Sequence, residues 1–317
     1  MSRASVSAQP SAHGLADLHR HLDGSLREAT VHALAAQAGL PVPDELAFRP
    51  GMGLQEALAR FAFTLSLLRH PQAVARVAAE ICEDAAAEGV GTLEIRFAPQ
   101  LHTGASPAAI IDAALEGMDG RAGLLLCGLY GEDPATLSAL VELAAARPGV
   151  AGIDLAGGPL PGHAWRLEDY APAFARARDL GLGRTVHAAE GRAPSEIRRA
   201  VLNLHAQRIG HGTTLLQDPG TVDLVMERGV LIEACVSSNW HVGAIAQIQD
   251  HPLPQWLHAG VKACCCTDNT LLSAVDAPEE LRRVAAIPGM DSTSLARCVE
   301  HGHQGAFRRT RALLGRS

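Results

Sequence analysis

The feature that most limits what this chain can become is an alternation. Short, strand-sized apolar segments are separated by longer stretches with helical spacing. The apolar segments are Leu15–His21, Gly91–Ala98, Gly123–Leu129, Gly152–Ala156, Arg184–Ala188, Arg208–His211, Val230–Val236 and Val261–Thr267. Helical spacing is clearest in Gln72–Glu88, where Val74, Val77, Ala78 and Ile81 share one face, and recurs in Pro134–Ala146, Leu167–Leu180 and Pro194–His205. Many of these stretches start after Ser, Asp or Pro and end near a glycine, as at Gly89, Gly181 and Gly229. Strands alternating with helices form right-handed βαβ units and a parallel sheet. Eight such units in 317 residues predict one α/β domain spanning residues 1–317, a closed (β/α)8 TIM-type barrel. An open doubly wound sheet is the alternative, but it calls for a glycine-rich phosphate loop after the first strand. His19-Arg20-His21-Leu22-Asp23 stands there instead. The helical region Glu28–His70 reads as an insertion over the barrel mouth, and residues 1–13 as a flexible tail.

Charge and apolar content narrow the function classes. Hydrophobic residues make up 47% and charged residues 19%, a globular balance. The formal net charge is −7 with no long basic run, which gives no electrostatic footing for nucleic acid. The longest apolar runs are strand-sized, so the expectation is a soluble, cytoplasmic protein with no membrane partner. Seven cysteines include the consecutive Cys264, Cys265 and Cys266, whose side chains alternate between faces of a strand. Reduced, buried thiols are the expectation, not a disulfide framework. Nothing in the pattern sets an oligomeric state.

In barrels of this kind the reactive groups gather at the C-terminal ends of the strands. The first strand ends in His19 and His21, two residues apart and on one face, so both imidazoles can reach one metal. Taken alone, this pair could equally be two incidental surface histidines. The fifth strand ends in His187-Ala188-Ala189-Glu190, the sixth in Gly210-His211-Gly212, the eighth in Thr267-Asp268-Asn269. Ionisable groups ending four separate core strands need a shared partner, because burying an unpaired charge is costly. Three histidines and an aspartate suit Zn2+, which makes water nucleophilic near neutral pH. Glu190 and the fourth histidine are the candidates for proton handling. The residues thus indicate metal-assisted hydrolysis and stop short of a substrate.

Asp17–Gly24, Leu93–Pro99, Gly152–Gly157, Thr185–Glu190, Arg208–Gly212, Ser237–Asn239 and Thr267–Asn269, in that order, resemble the adenosine deaminase family of the amidohydrolase superfamily. The resemblance runs from about Ala16 to the C-terminal helices. It implies one Zn2+ per chain held by His19, His21, His187 and Asp268. It further implies that Glu190 protonates the purine ring nitrogen beside the attacked carbon. His211 would orient and deprotonate the attacking water, with Asp268 accepting a hydrogen bond from it. His21, Asp23, Gly157 and Asn269 would bind the substrate, with Gly157 N–H at the purine edge and Asp23 on a sugar hydroxyl. The partner implied is a small purine nucleoside or base, converted to its oxo product and ammonia.

Three positions depart from the family pattern. Asn269 stands where a second aspartate is common, Ala189 where a glycine is usual, and Ala57 in the lid helix where an aromatic is frequent. An amide at 269 still donates to a ring nitrogen without prior protonation. A smaller residue at 57 would enlarge the pocket and admit a bulkier nucleoside such as 6-aminodeoxyfutalosine; adenine is a further alternative. A binuclear amidohydrolase would place a bridging Lys or Glu on the fourth strand, where this chain has Ile153-Asp154-Leu155-Ala156-Gly157. A purine binder without chemistry should lack one of His19, His21, His187, Glu190, His211 and Asp268, and all six are present. His13, His32, His70, His102, His163, His205, His241, His251 and His258 read as surface or helix-end histidines.

Overall fold

The computed structural model describes residues 13–307, so all of the expected tail except His13 lies outside the described residues. Eight parallel strands follow one another around a single sheet: β1 (Leu15–His21), β2 (Val90–Phe97), β3 (Gly123–Leu129), β4 (Val150–Ala156), β5 (Gly183–Ala188), β6 (Arg208–His211), β7 (Leu231–Ala234) and β8 (Lys262–Cys265). The last strand returns to the first at the rim, where Arg20 bridges Asp268 in parallel register. There His21 N–H donates to Asp268 O at 2.7 Å and Asp268 N–H to His19 O at 2.8 Å. The fold is the expected (β/α)8 barrel.

Twelve helices surround it among the described residues. They are α1 (Glu28–Ala38), α2 (Leu54–Leu67), α3 (Pro71–Ala87), α4 (Pro107–Met118), α5 (Pro134–Ala145), α6 (Ala171–Asp179), α7 (Ser195–Asn203), α8 (Pro219–Arg228), α9 (Val236–His241), α10 (Leu253–Ala259), α11 (Ala277–Ala285) and α12 (Ser292–Gly305). Starts are marked by Pro at the first turn and by caps such as Ser106, Asp133, Asp218 and Asp276, whose side chains accept backbone N–H groups. The apolar stripe of α3 (Val74, Val77, Ala78, Ile81) packs fully buried against the barrel. Between β1 and β2 the insertion is two helices, not a continuous one. Residues 39–53 between α1 and α2 have no regular structure, because Gly39 caps α1 in the left-handed region and α2 starts only after Gly53.

Two strands are shorter than their apolar runs. β7 stops at Ala234 because Val236 already opens α9, and β8 stops at Cys265 because the chain turns toward the rim. Thr267 anchors that turn: its N–H and Oγ1–H donate to the Asp17 carboxylate at 3.3 and 2.6 Å. The seven cysteines are all free, and Cys264 and Cys266 are buried on one face with sulfurs 3.6 Å apart. No helix among the described residues is long and apolar enough to cross a membrane.

Candidate active site

The residues singled out at the strand ends meet at one place. His19 Nε2 and His21 Nε2 are 3.3 Å apart, and so are His21 Nε2 and His187 Nε2. Asp268 Oδ1 lies 3.6 Å from the first and 3.5 Å from the second. A tetrahedron with bonds of 2.0–2.1 Å has edges of about 3.3–3.4 Å, and these four separations are close to that spacing. The ring protons agree. His19 Nδ1–H donates to Glu233 at 2.7 Å and His187 Nδ1–H to Asp154 at 3.1–3.2 Å, and a carboxylate can only accept. Both rings therefore aim Nε2 lone pairs into the same space, where a cation is the partner they lack. Burial, with Arg96 nearby, lowers His19 well below the usual histidine range, and burial lowers His21 likewise, which favours the neutral ring.

Strand-interior charges support these rings. Arg96 on β2 donates to Asp154 and Glu233 at 2.8 Å each, tying β2 to β4 and β7. Burial alone would raise the Asp154 carboxyl, but His187 and Arg96 outweigh it and hold Asp154 below the usual carboxylate range. Arg208 on β6 pairs with Glu94 at 2.5 Å and with Glu233 at 2.7 Å. Gly210, just before His211, is set by close approach: a Cβ there would lie 2.9 Å from the His19 ring.

Glu190 follows β5 and is nearly buried; burial pushes its carboxyl up, with Arg192 and His187 opposing. His211 ends β6, buried, its basicity lowered to about 3 by burial and by the facing His187. Asp23 sits in the 3-10 turn after β1, pushed up to about 7 by burial, with Oδ1 unpartnered. Asn269 Oδ1 is also buried and unpartnered. Gly157 follows β4 with φ +79°, a left-handed conformation that favours glycine, and a Cβ there would meet open space. These groups, with Ser238, line one cavity of about 290 Å³. Its outer wall is apolar, with Phe48, Leu58, Phe61, Leu129, Leu160 and Val242. Ala57 is 2% exposed against Phe48 and Leu272, and Phe61, one turn further along α2, stands edge-on to His21 at 6.2 Å between centroids.

The model of the adenosine deaminase family matches residues 14–313. The chain belongs to the adenosine deaminase family. This deaminase is 35% identical to the adenosine deaminase of Serratia proteamaculans over 316 residues, covering 92% of this chain and 93% of that protein. It is 31% identical to a probable adenosine deaminase of Dictyostelium discoideum, a longer protein of which it spans 40%. Among solved structures, adenine deaminase from Arthrobacter aurescens superposes with a TM-score of 0.84 at 25% identity, covering 94% of each chain. The N6-methyl-AMP deaminase of Arabidopsis thaliana gives 0.81 at 25% identity, covering 94% of this chain and 93% of that one. The chain is an aminohydrolase with a candidate His/Asp site for a divalent metal.

The deaminase also holds residues that reading along the chain misplaced. His102, His241 and His251 stand at helix ends, as expected, but none lies on the surface: they are 1%, 5% and 0% exposed. His102 Nδ1–H donates to Leu68 O at 2.7 Å, and His241 stacks on Trp240. His163, half-buried, lines the cavity. Glu233 gave a signal that could have been used, a lone carboxylate within the apolar run of β7. His251 gave none, because its partner Asn239 lies 12 positions earlier and meets it only in space.

Proposed function

We propose that this deaminase holds one Zn2+ through His19, His21, His187 and Asp268 and hydrolyses the exocyclic amine of a 6-aminopurine nucleoside, releasing ammonia. The observation that carries the reading is the cage of three imidazole nitrogens and one carboxylate oxygen, 3.3–3.6 Å apart for the pairs given above, beside a buried Glu190. The bound ion supplies Lewis acidity that makes water a nucleophile near neutral pH. Glu190, whose carboxyl burial pushes up, donates to the ring nitrogen beside the attacked carbon and so makes that carbon electrophilic. His211 orients the attacking water, and Asp268 accepts a hydrogen bond from it. The unpartnered Asp23 Oδ1 suits a sugar hydroxyl, and Gly157 N–H and the Asn269 amide suit the purine edge.

The cavity favours a nucleoside or base over a nucleotide. None of its lining residues is Lys or Arg, so a 5′-phosphate would enter an apolar wall without a counter-charge. The ring absent at Ala57 is offset by Phe61 and Phe48, and about 290 Å³ is at the small end of ligand cavities. That favours adenosine-sized substrates over 6-aminodeoxyfutalosine.

Ammonia release from adenosine, 2′-deoxyadenosine, adenine, AMP and 6-aminodeoxyfutalosine, with metal content measured, tests the reading. Turnover of a nucleoside at one zinc per chain, with AMP at least about 100-fold poorer in kcat/KM, supports it. In Glu190→Gln, kcat should fall by about 10²–10⁴ at unchanged zinc content. No turnover of any compound at full zinc occupancy overturns it.

A further inference from the structure

Behind His211 runs a line of hydrogen bonds that no metal ligand joins. Leu253 N–H donates to His251 Nδ1 at 3.2 Å. A backbone amide can only donate, so this ring nitrogen carries the lone pair and neutral His251 has its proton on Nε2. That Nε2 lies 3.3 Å from Asn239 Oδ1. The contact orients the amide: Oδ1 is turned to His251, so Nδ2 is turned to the active site. There Nδ2 lies 2.9 Å from His211 Nδ1 and 3.4 Å from Glu190 Oε1. An amide NH2 can only donate, so at this shortest contact His211 Nδ1 accepts; Glu190 Oε1 faces the same nitrogen from farther off, at 3.4 Å. His251 and Asn239 are both 0% exposed, which leaves solvent no part in the choice. Burial also lowers His251 to about 3, so it stays neutral with a single N–H to give.

We infer that His251 is a positioning residue: acting through Asn239, it holds His211 as the tautomer with its proton on Nε2. The same amide gives its second N–H to Glu190, so one orientation of Asn239 serves both groups. A flipped amide would turn its NH2 onto the His251 Nε2–H, two donors face to face, and demand a proton on His211 Nδ1. With its proton on Nε2, His211 faces the metal cage as a hydrogen-bond donor. It therefore steadies the attacking oxygen and does not remove its proton. The Asp268 carboxylate, within 4.8 Å of a His211 ring nitrogen, is then the acceptor for that proton.

The inference rests on the deaminase reading only for its kinetic readout. The direct test is 15N NMR of histidine-labelled, zinc-loaded full-length protein, with His211 assigned by the loss of its signals in His211→Asn. The expected wild-type result is an unprotonated Nδ1 and a protonated Nε2. In His251→Phe the proton should move to Nδ1 or divide between the two, and kcat should fall about tenfold or more with KM within about twofold. His251→Gln should restore the tautomer and most of kcat, because its amide N–H can still donate to Asn239 Oδ1. If His251→Phe does not fold, Asn239→Asp carries the test, since a carboxylate accepts from both rings and should drive the His211 proton to Nδ1. A wild-type His211 protonated on Nδ1 overturns the inference, as does an unchanged tautomer in His251→Phe or Asn239→Asp. The expected tautomers without turnover of any aminopurine would uphold the relay and remove the deaminase reading alone.

Discussion

At the scale of single residues, the site stores backbone strain where it aims its side chains. Among the described residues six non-glycine positions have positive φ, and three of them are Ala189, His211 and Asp268, at the ends of β5, β6 and β8. A left-handed conformation costs a residue with a Cβ about 1–2 kcal/mol. His211 and Asp268 sustain it because the rim bonds and the buried network over-determine them. Ala189 has φ +55° where the family pattern has glycine, which explains why glycine is usual there. The departure is tolerated because the Ala189 methyl is fully buried in the main core, recovering about 0.8 kcal/mol. Ala189→Gly should relieve the strain and lose that methyl together, so its Tm should stay within about 2 °C of wild type by calorimetry.

At the scale of elements, the barrel strands are joined by charge inside their apolar sheet. Arg96 links β2 to Asp154 of β4 and Glu233 of β7, the two carboxylates that orient His187 and His19. Arg96→Met should leave Asp154 buried without its cation and Glu233 with Arg208 alone, costing about 3–5 kcal/mol in chemical denaturation. Zinc affinity should fall about 10- to 100-fold in the same variant, as metal titration would show. A second inter-element bond joins α11 to α9: Ser237 N–H donates to Glu280 at 2.9 Å and its hydroxyl to the other oxygen. This holds the turn that carries Ser238 and Asn239. Burial pushes Glu280 up to about 7, against the Ser237 hydrogen bonds, from an ordinary value of 4.5. The folded state therefore keeps a proton that the unfolded chain has lost between those values. Stability from this group is present below about pH 4.5 and is lost as pH rises through about 7. The Tm of Glu280→Gln relative to wild type should rise between about pH 5 and pH 8 and level off above.

At the scale of the molecule, the proposed metal cage draws on strands from opposite sides of the barrel, so its occupancy should couple to global stability. An ion present at about 1,000 times its Kd adds about 4 kcal/mol. Chelation should lower Tm by about 5–10 °C, and added Zn2+ should restore it. A Tm indifferent to chelation at verified metal loss would break this coupling.

Much of this was legible along the chain. The apolar runs placed all eight strands because a parallel strand buried on both faces reads as a continuous hydrophobic segment. The rim residues stood out because an ionisable group that ends a core strand needs a buried partner of opposite character. His19, His21, His187, Glu190, His211 and Asp268 could thus be singled out before their geometry was known. What only the tertiary structure decided is which groups face which. Glu233 beneath His19, Arg96 between two carboxylates, Phe61 edge-on to His21, and His251 behind Asn239 each depend on contacts between separate elements. Periodicity reports the face on which a side chain lies, whereas its partner, and with it the position of a ring proton, is chosen by packing across the closed barrel.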